Sequence, residues 1–225
     1  MREIALDTET TGLDPASGHR IAEVGCVELL NHVPTGRTFH RYVNPERPMP
    51  AEAAAVHGLT DAFLSGQPRF AEIAADLVAF LADSPLVIHN AAFDLGFLNA
   101  EFERLGLATL PPSRAIDTVK LARQRFPGAP ANLDALCRRF DIDLSGRALH
   151  GALKDAELLA QVYLELKGGR QPGLMLLSPA MRALSNGAAP NAPRARHVLA
   201  PNAQEAAAHA AFIARLTNPL WTAEA

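Results

Sequence analysis

Asp7 and Glu9 stand one residue apart at the end of a short apolar run, Ile4-Ala5-Leu6. On a strand alternate side chains share a face, so the two carboxylates point the same way. Side by side at a buried strand end they repel, and burial makes each costlier to ionise. A hard cation between them, Mg²⁺ or Mn²⁺, resolves the conflict. The competing reading puts Glu9 in a solvated turn closed by Thr11-Gly12. The D-x-E pair taken alone favours that second reading, because so short a motif recurs by chance.

Two further acids fall where helical periodicity places apolar residues. Asp94 lies in the first turn of a stretch that reads as a helix over residues 91–105, and it aligns with Phe97, Leu98 and Leu105. Unpaired buried carboxylates are rare. The helix dipole favours an acid in a first turn, which explains the turn but not the apolar side. Residues 151–167 repeat the anomaly. Lys154, Glu157, Gln161 and Glu165 make the polar stripe, whereas Asp155 shares a side with Leu159, Val162 and Leu166. His150 stands five residues before Asp155, placed to overhang a buried acid and act as a base. Together Asp7, Glu9, Asp94 and Asp155 carry about −4 of charge, which two divalent cations balance. Two metals about 3.5–4 Å apart can hold the attacking and leaving oxygens of an in-line phosphoryl displacement.

Patterning supplies the elements that position these groups. Residues 3–6 read as a buried strand and Ile21–Leu30 as a second. Asn, Pro and Gly over residues 31–36 predict a hairpin loop, and residues 38–43 alternate as a third strand, antiparallel to the second. Residues 48–56 form a proline-opened helix ended by His57-Gly58. Phe70–Leu81 is amphipathic, with Ile73, Leu77, Phe80 and Leu81 on one side. Leu86–Ile88 is a strand buried on both faces, and Ala115–Asp117 another, followed by a helix through Arg125. Asn132 caps a helix over residues 133–140. Antiparallel strands followed by strand–helix alternation predict an α/β fold, a mixed sheet with helices on both faces.

The chain has 225 residues, 48% of them apolar, and a net charge of −3. A large core is within reach, but a non-specific electrostatic grip on nucleic acid is not. A nucleic-acid substrate must be held locally or delivered by a partner. Cys26 and Cys137 fall in apolar patterns and read as small buried hydrophobes, not as a disulfide or a metal pair. No apolar run suits an export signal or a membrane span, so a cytoplasmic setting without a membrane partner is expected. The catalytic domain is expected over residues 1–169 and a linker over 170–202, centred on the Gly/Ala/Pro-rich residues 187–193. A helical tail is expected over 203–225.

Three segments, Asp7-Thr8-Glu9-Thr10-Thr11-Gly12, His89-Asn90-Ala91-Ala92-Phe93-Asp94 and His150-Gly151-Ala152-Leu153-Lys154-Asp155, resemble the exonuclease motifs of the DEDD superfamily. The His five residues before the last Asp resembles the branch with a catalytic histidine, and the likeness extends to the proofreading (epsilon) subunits of bacterial DNA polymerase III. It runs from about residue 3 to Gly169 and includes Val56-His57-Gly58-Leu59-Thr60-Asp61 and Asn132-Leu133-Asp134-Ala135-Leu136-Cys137. The resemblance implies an RNase H-like fold with a five-stranded mixed sheet. It implies release of nucleoside monophosphates from a single-stranded or frayed DNA 3′ end. Asp7, Glu9, Asp94 and Asp155 would hold two divalent cations per site, Mg²⁺ or Mn²⁺, and His150 would deprotonate the attacking water. Glu52, His57 and Thr10 would bind the terminal nucleotide. Pattern alone reads Glu52 as solvated surface and His57 as a helix end. The implied partners are a polymerase catalytic subunit, reached through the C-terminal tail, and a sliding clamp. The clamp segment, Gln171-Pro172-Gly173-Leu174-Met175-Leu176, departs from the family pattern by its third-position Gly and its missing terminal Phe. Two alternatives stay open at this stage: an RNA-trimming exonuclease of the same superfamily, and a stabilising subunit that keeps the fold without the chemistry.

Overall fold

Strand β1 (Arg2–Thr10) is the spine of a five-stranded sheet. The computed structural model describes residues 1–145, 149–169 and 202–215. Strands β2 (Ile21–Leu30) and β3 (Val33–Tyr42) extend the sheet on one side of β1, and β4 (Leu86–Ile88) and β5 (Ala115–Asp117) on the other, in the order β3-β2-β1-β4-β5. The hairpin pairs are antiparallel, and β4 and β5 run parallel to β1. The mixed sheet is the one expected.

Alternation along β1 divides the core into two layers. Ile4 and Leu6 face α3 (Phe70–Leu81) and α4 (Ala91–Arg104). Ala5 faces α5 (Thr118–Arg125), α6 (Leu133–Arg139) and α7 (Ala152–Leu166). In β4 Leu86 and Ile88 join the first layer and Val87 the second, all fully buried. That double burial is why β4 reads as an unbroken apolar run. Each such side chain contributes roughly 1.5–3 kcal/mol relative to exposure. Cys26 and Cys137 are buried in opposite layers, which rules out a disulfide between them.

The hairpin departs from expectation. Its loop is two residues, Asn31 and His32, both at positive φ (51° and 70°), and β3 resumes at Val33. Asn is the residue that tolerates this turn geometry most readily after Gly. Pro34 and Gly36 therefore lie inside a strand, which is acceptable because β3 is at the sheet edge. The helix expected from residue 48 starts later, as α1 (Ala51–His57), because Pro50 is its N-cap and Gly58 closes it at φ 76°. A short α2 (Asp61–Leu64), capped by the Thr60 hydroxyl, had no periodicity to announce it. The expected C-terminal helix is present as α8 (Ala203–Ile213), capped by Asn202. Residues 1–174 and 175–225 form separate units. The linker centred on residues 187–193, the clamp segment at 171–176 and the apolar Leu220-Trp221 lie outside the described residues.

Glycine 25 sets the position of α7. It pairs with Asp7 across β1 and β2, and a Cβ built there would lie 2.2 Å from both the Ala152 carbonyl carbon and the Leu153 nitrogen. Helix backbone comes this close only because no side chain intervenes. Gly25→Ala must push the first turn of α7 off the sheet. We expect a loss of about 1–3 kcal/mol, read as a lower urea midpoint, with displaced amide resonances at residues 150–156. An unchanged midpoint and unchanged resonances would show that α7 does not depend on this approach.

Candidate active site

The end of β1 delivers two acids to one layer. Asp7 and Glu9 share the face that Ala5 presents to α7, as alternation requires. At Glu9/Thr10 the β1–β2 register shifts, with Glu9 opposite Glu23 and Thr10 opposite Ile21. A bulge of this kind re-aims side chains at a strand end. Thr10 and Glu9 thereby reach the rim of a cleft of about 580 Å³ shared with Glu52, Val56, His57 and Phe93. That volume suits a nucleotide-sized ligand.

Helix α7 brings the next pair. Asp155, in its first turn, is buried, and His150 lies just ahead of the helix, half exposed. His150 Nδ1 is 3.3 Å from Asp155 Oδ2. Ligand atoms of Glu9, His150 and Asp155 all lie within 4.8 Å of one another. Two carboxylates and an imidazole at that spacing are a donor set that one divalent cation accepts with little closure, since opposite oxygens around Mg²⁺ sit about 4 Å apart. Asp7 joins His150 and Asp155 along a second cleft of about 410 Å³, also lined by His89, Asn132 and Arg138.

Asp94 approaches from the other layer. It is buried on α4 and accepts a 2.7 Å hydrogen bond from the Thr8 hydroxyl. Burial pushes its carboxyl up to about 7 against the lowering effect of that bond. Glu101, the other buried acid of α4, is instead held by Arg20 through two parallel bonds of 2.5 and 2.8 Å. No lysine or arginine pairs with Asp94 among the described residues. A buried carboxylate left without a fixed cation is the arrangement expected where a metal is to supply the charge. Of the predicted acids, then, Glu9, Asp155 and His150 form one cluster, Asp7 lines the cleft beside it, and Asp94 flanks β1 from the opposite side.

The remaining predicted residues gather on α1. His57 is buried, its Nδ1 accepts from the Leu59 amide at 3.1 Å, and its Nε2 is enclosed without a hydrogen bond. Burial lowers its pKa, against the raising effect of the nearby Thr10 carbonyl. An enclosed ring nitrogen beside a nucleotide-sized cleft is suited to meet a ligand hydroxyl. The His150 amide donates to the Val56 carbonyl at 3.2 Å, which ties the base segment to the same helix.

Three neighbours are not singled out as site residues by the sequence. Glu23 interrupts an apolar strand, yet it is buried beside Glu9 and bonded to His40 Nε2 at 2.7 Å. His89 follows β4, and burial lowers its pKa while Nδ1 contacts the Thr118 hydroxyl at 2.9 Å. Asn132, legible as a cap, also lines the metal-side cleft. Alternation and capping rules could have placed Glu23 and Asn132 on these faces, but neither rule marks them as site residues.

Comparison with known proteins agrees with this geometry. The family model described as Exonuclease matches residues 4–163. A DNA polymerase III subunit epsilon of Rickettsia felis is 49% identical over 224 residues, covering 96% of this chain and 97% of its own. The Escherichia coli protein of the same name is 46% identical over 177 residues, 75% of this chain and 72% of its own. Among solved structures, exonuclease X in complex with 5′-overhanging duplex DNA is 27% identical, with a TM-score of 0.57 over 74% of this chain and 90% of that one. The nuclease domain of a 3′ exonuclease, a DEDDh family member bound to rAMP, shares the fold at a TM-score of 0.63, covering 73% of this chain and 90% of its own at 21% identity. With Glu9, His150 and Asp155 meeting beside the end of β1 and a relative matched over nearly its whole length, the chain belongs to the exonuclease family, among the DNA polymerase III epsilon subunits.

Proposed function

We propose that this chain removes nucleoside monophosphates one at a time from the 3′ end of DNA, single-stranded or frayed, and so edits for a replicative polymerase. The observation that carries the reading is the meeting of Glu9, His150 and Asp155 within 4.8 Å beside a nucleotide-sized cleft. When bound, two divalent cations, Mg²⁺ or Mn²⁺, would supply the charge that polarises the phosphodiester and stabilises the departing 3′ oxygen. Asp7, Glu9, Asp94 and Asp155 hold that charge in place. His150, half exposed at the mouth of the cluster, takes the proton of the attacking water, with Asp155 orienting its ring through Nδ1. His57, Glu52 and Thr10 position the terminal nucleotide so that its phosphodiester lies over the acids. A subunit kept for its fold alone would gain nothing from two acids and a histidine meeting in one place, with Asp7 in the cleft beside them.

Three tests follow from these roles. Asp7→Ala or Asp155→Ala, or EDTA added to the parent, should bring hydrolysis of a labelled single-stranded DNA to background while circular dichroism stays unchanged. RNA of the same sequence, run in parallel, reports the sugar preference. Substantial turnover in either variant would remove the acids from the mechanism. His150→Ala should lose roughly 10²–10⁴-fold in kcat, the range for removal of a general base. Its deficit should narrow as pH rises, because hydroxide replaces the missing base, and parent-like turnover near neutrality would contradict the role.

The third test concerns the layout. We place the catalytic domain at residues 1–169, a linker at 170–202 and a polymerase-binding tail at 203–225, with sliding-clamp contact at 171–176. The net charge of −3 gives little hold on DNA, so tethering must raise the effective concentration. In α8 every described side chain is exposed or half-buried, which leaves its apolar residues available to a partner. A chain ending at Gly169 should keep its rate on a short oligonucleotide but fail to co-elute with the polymerase catalytic subunit on a sizing column. Co-elution as tight as that of the full chain would move the contact to the catalytic domain.

A further inference from the structure

The terminal nucleotide cleft and the metal-side cleft adjoin at the acid cluster. Glu9 lines the first cleft, and its cluster partners His150 and Asp155 line the second. A strand whose last nucleotide fills the first cleft and whose scissile phosphodiester lies over the acids has the second as its neighbouring path. That cleft does not end at Asp7. His89 and Asn132 also line a further groove of about 650 Å³, which runs past Asn90, Ala92, Lys120, Arg123, Ala129 and Ala131.

The chemistry of this groove is that of a phosphate track. Lys120 and Arg123 are exposed on α5 and make no ion pair among the described residues. The one acid in the lining, Asp117, is occupied as the cap of α5, accepting from the Val119 amide at 2.9 Å and the Lys120 amide at 3.4 Å. The N-terminal end of α4 opens at the groove through Asn90 and Ala92, and the Asn90 side chain makes no capping bond. Helix N-termini and free cations both favour anions. Lys120 and Arg123 thus place two cations without an ion pair among the described residues along a groove that shares His89 and Asn132 with the metal-side cleft.

We propose that the groove lined by Lys120 and Arg123 holds the phosphates of the substrate strand on the 5′ side of the scissile bond. This rests on the exonuclease reading above and adds the direction of the strand: terminal nucleotide against α1, upstream phosphates against α5. The contacts are to backbone and not to bases, so they work for any sequence.

The test is a Lys120→Ala/Arg123→Ala double variant, assayed on two substrates. One is a 5′-labelled single-stranded oligonucleotide of ten residues. The other is the p-nitrophenyl ester of thymidine 5′-monophosphate, which has a scissile phosphodiester and no upstream strand. On the oligonucleotide KM should rise about tenfold with kcat little changed. The slope of log KM against log salt should fall by about 1.4, which is about 0.7 for each phosphate that the variant no longer neutralises. On the ester the variant should match the parent. Lys120→Arg/Arg123→Lys should restore most of the oligonucleotide KM. Parent-like oligonucleotide kinetics, or an equal loss on the ester, would overturn the assignment. A parent enzyme inactive on both substrates would instead sink the exonuclease reading itself.

Discussion

A carboxylate taken out of water must be matched by donors or by a cation, and that constraint orders this molecule. Most of its buried acids are matched from within. Glu3 receives the Tyr163 hydroxyl and the His32 ring. Glu28 receives Arg2 and Arg37, and Glu101 receives Arg20 and Arg104. Glu3 thereby ties β1 to α7, and Glu28 ties β2 to β1 and β3. The acids at the end of β1 are treated differently. Asp94 is met by the Thr8 hydroxyl, and the His150 ring stands 3.3 Å from Asp155. The divalent metal used by the exonuclease family would bring its charge to these acids.

Acids gathered for a metal are useful only if they cannot relax apart, and the fold prevents that. Asp7 and Glu9 are fixed by the central strand, buried on both faces. Asp155 is fixed because α7 rests directly on the backbone of β2 at Gly25. Asp94 is fixed by α4, whose Leu95, Phe97, Leu98 and Phe102 fill the opposite layer. The site is preorganised by packing on two sides of one sheet, the condition under which electrostatic stabilisation is strongest.

Much of this was legible in the sequence, and the reasons are specific. Asp94 and Asp155 betrayed themselves by lying on the apolar side of periodic helices, and their burial follows from that periodicity. The strands β4 and β5 and the helix α3 were marked by their apolar patterns, and their bounds agree with the structure. Glu52 and His57 were not legible, because a single exposed acid and a helix-ending histidine look alike whether or not a cleft lies beside them. Glu23 was hidden for the opposite reason. In β2 all positions but the last are buried, so no polar face exists against which its placement could be judged. The hairpin loop was drawn too long because Pro34 and Gly36 suggest a turn, and only the edge position of β3 makes them compatible with a strand.

That edge position has a consequence of its own. A sheet with open rims invites a second chain to add a strand, and a ten-residue rim such as β3 is a large invitation. Here Pro34 lacks an amide proton, Gly36 sits at φ 89°, and the register against β2 slips between Val27 and Leu29. Arg37 and Arg41 add like charge along the same strand. The opposite rim, β5, is only three residues long. Both borders are thus poor templates for aggregation, and the chain can be held at high local density without its sheets growing into one another.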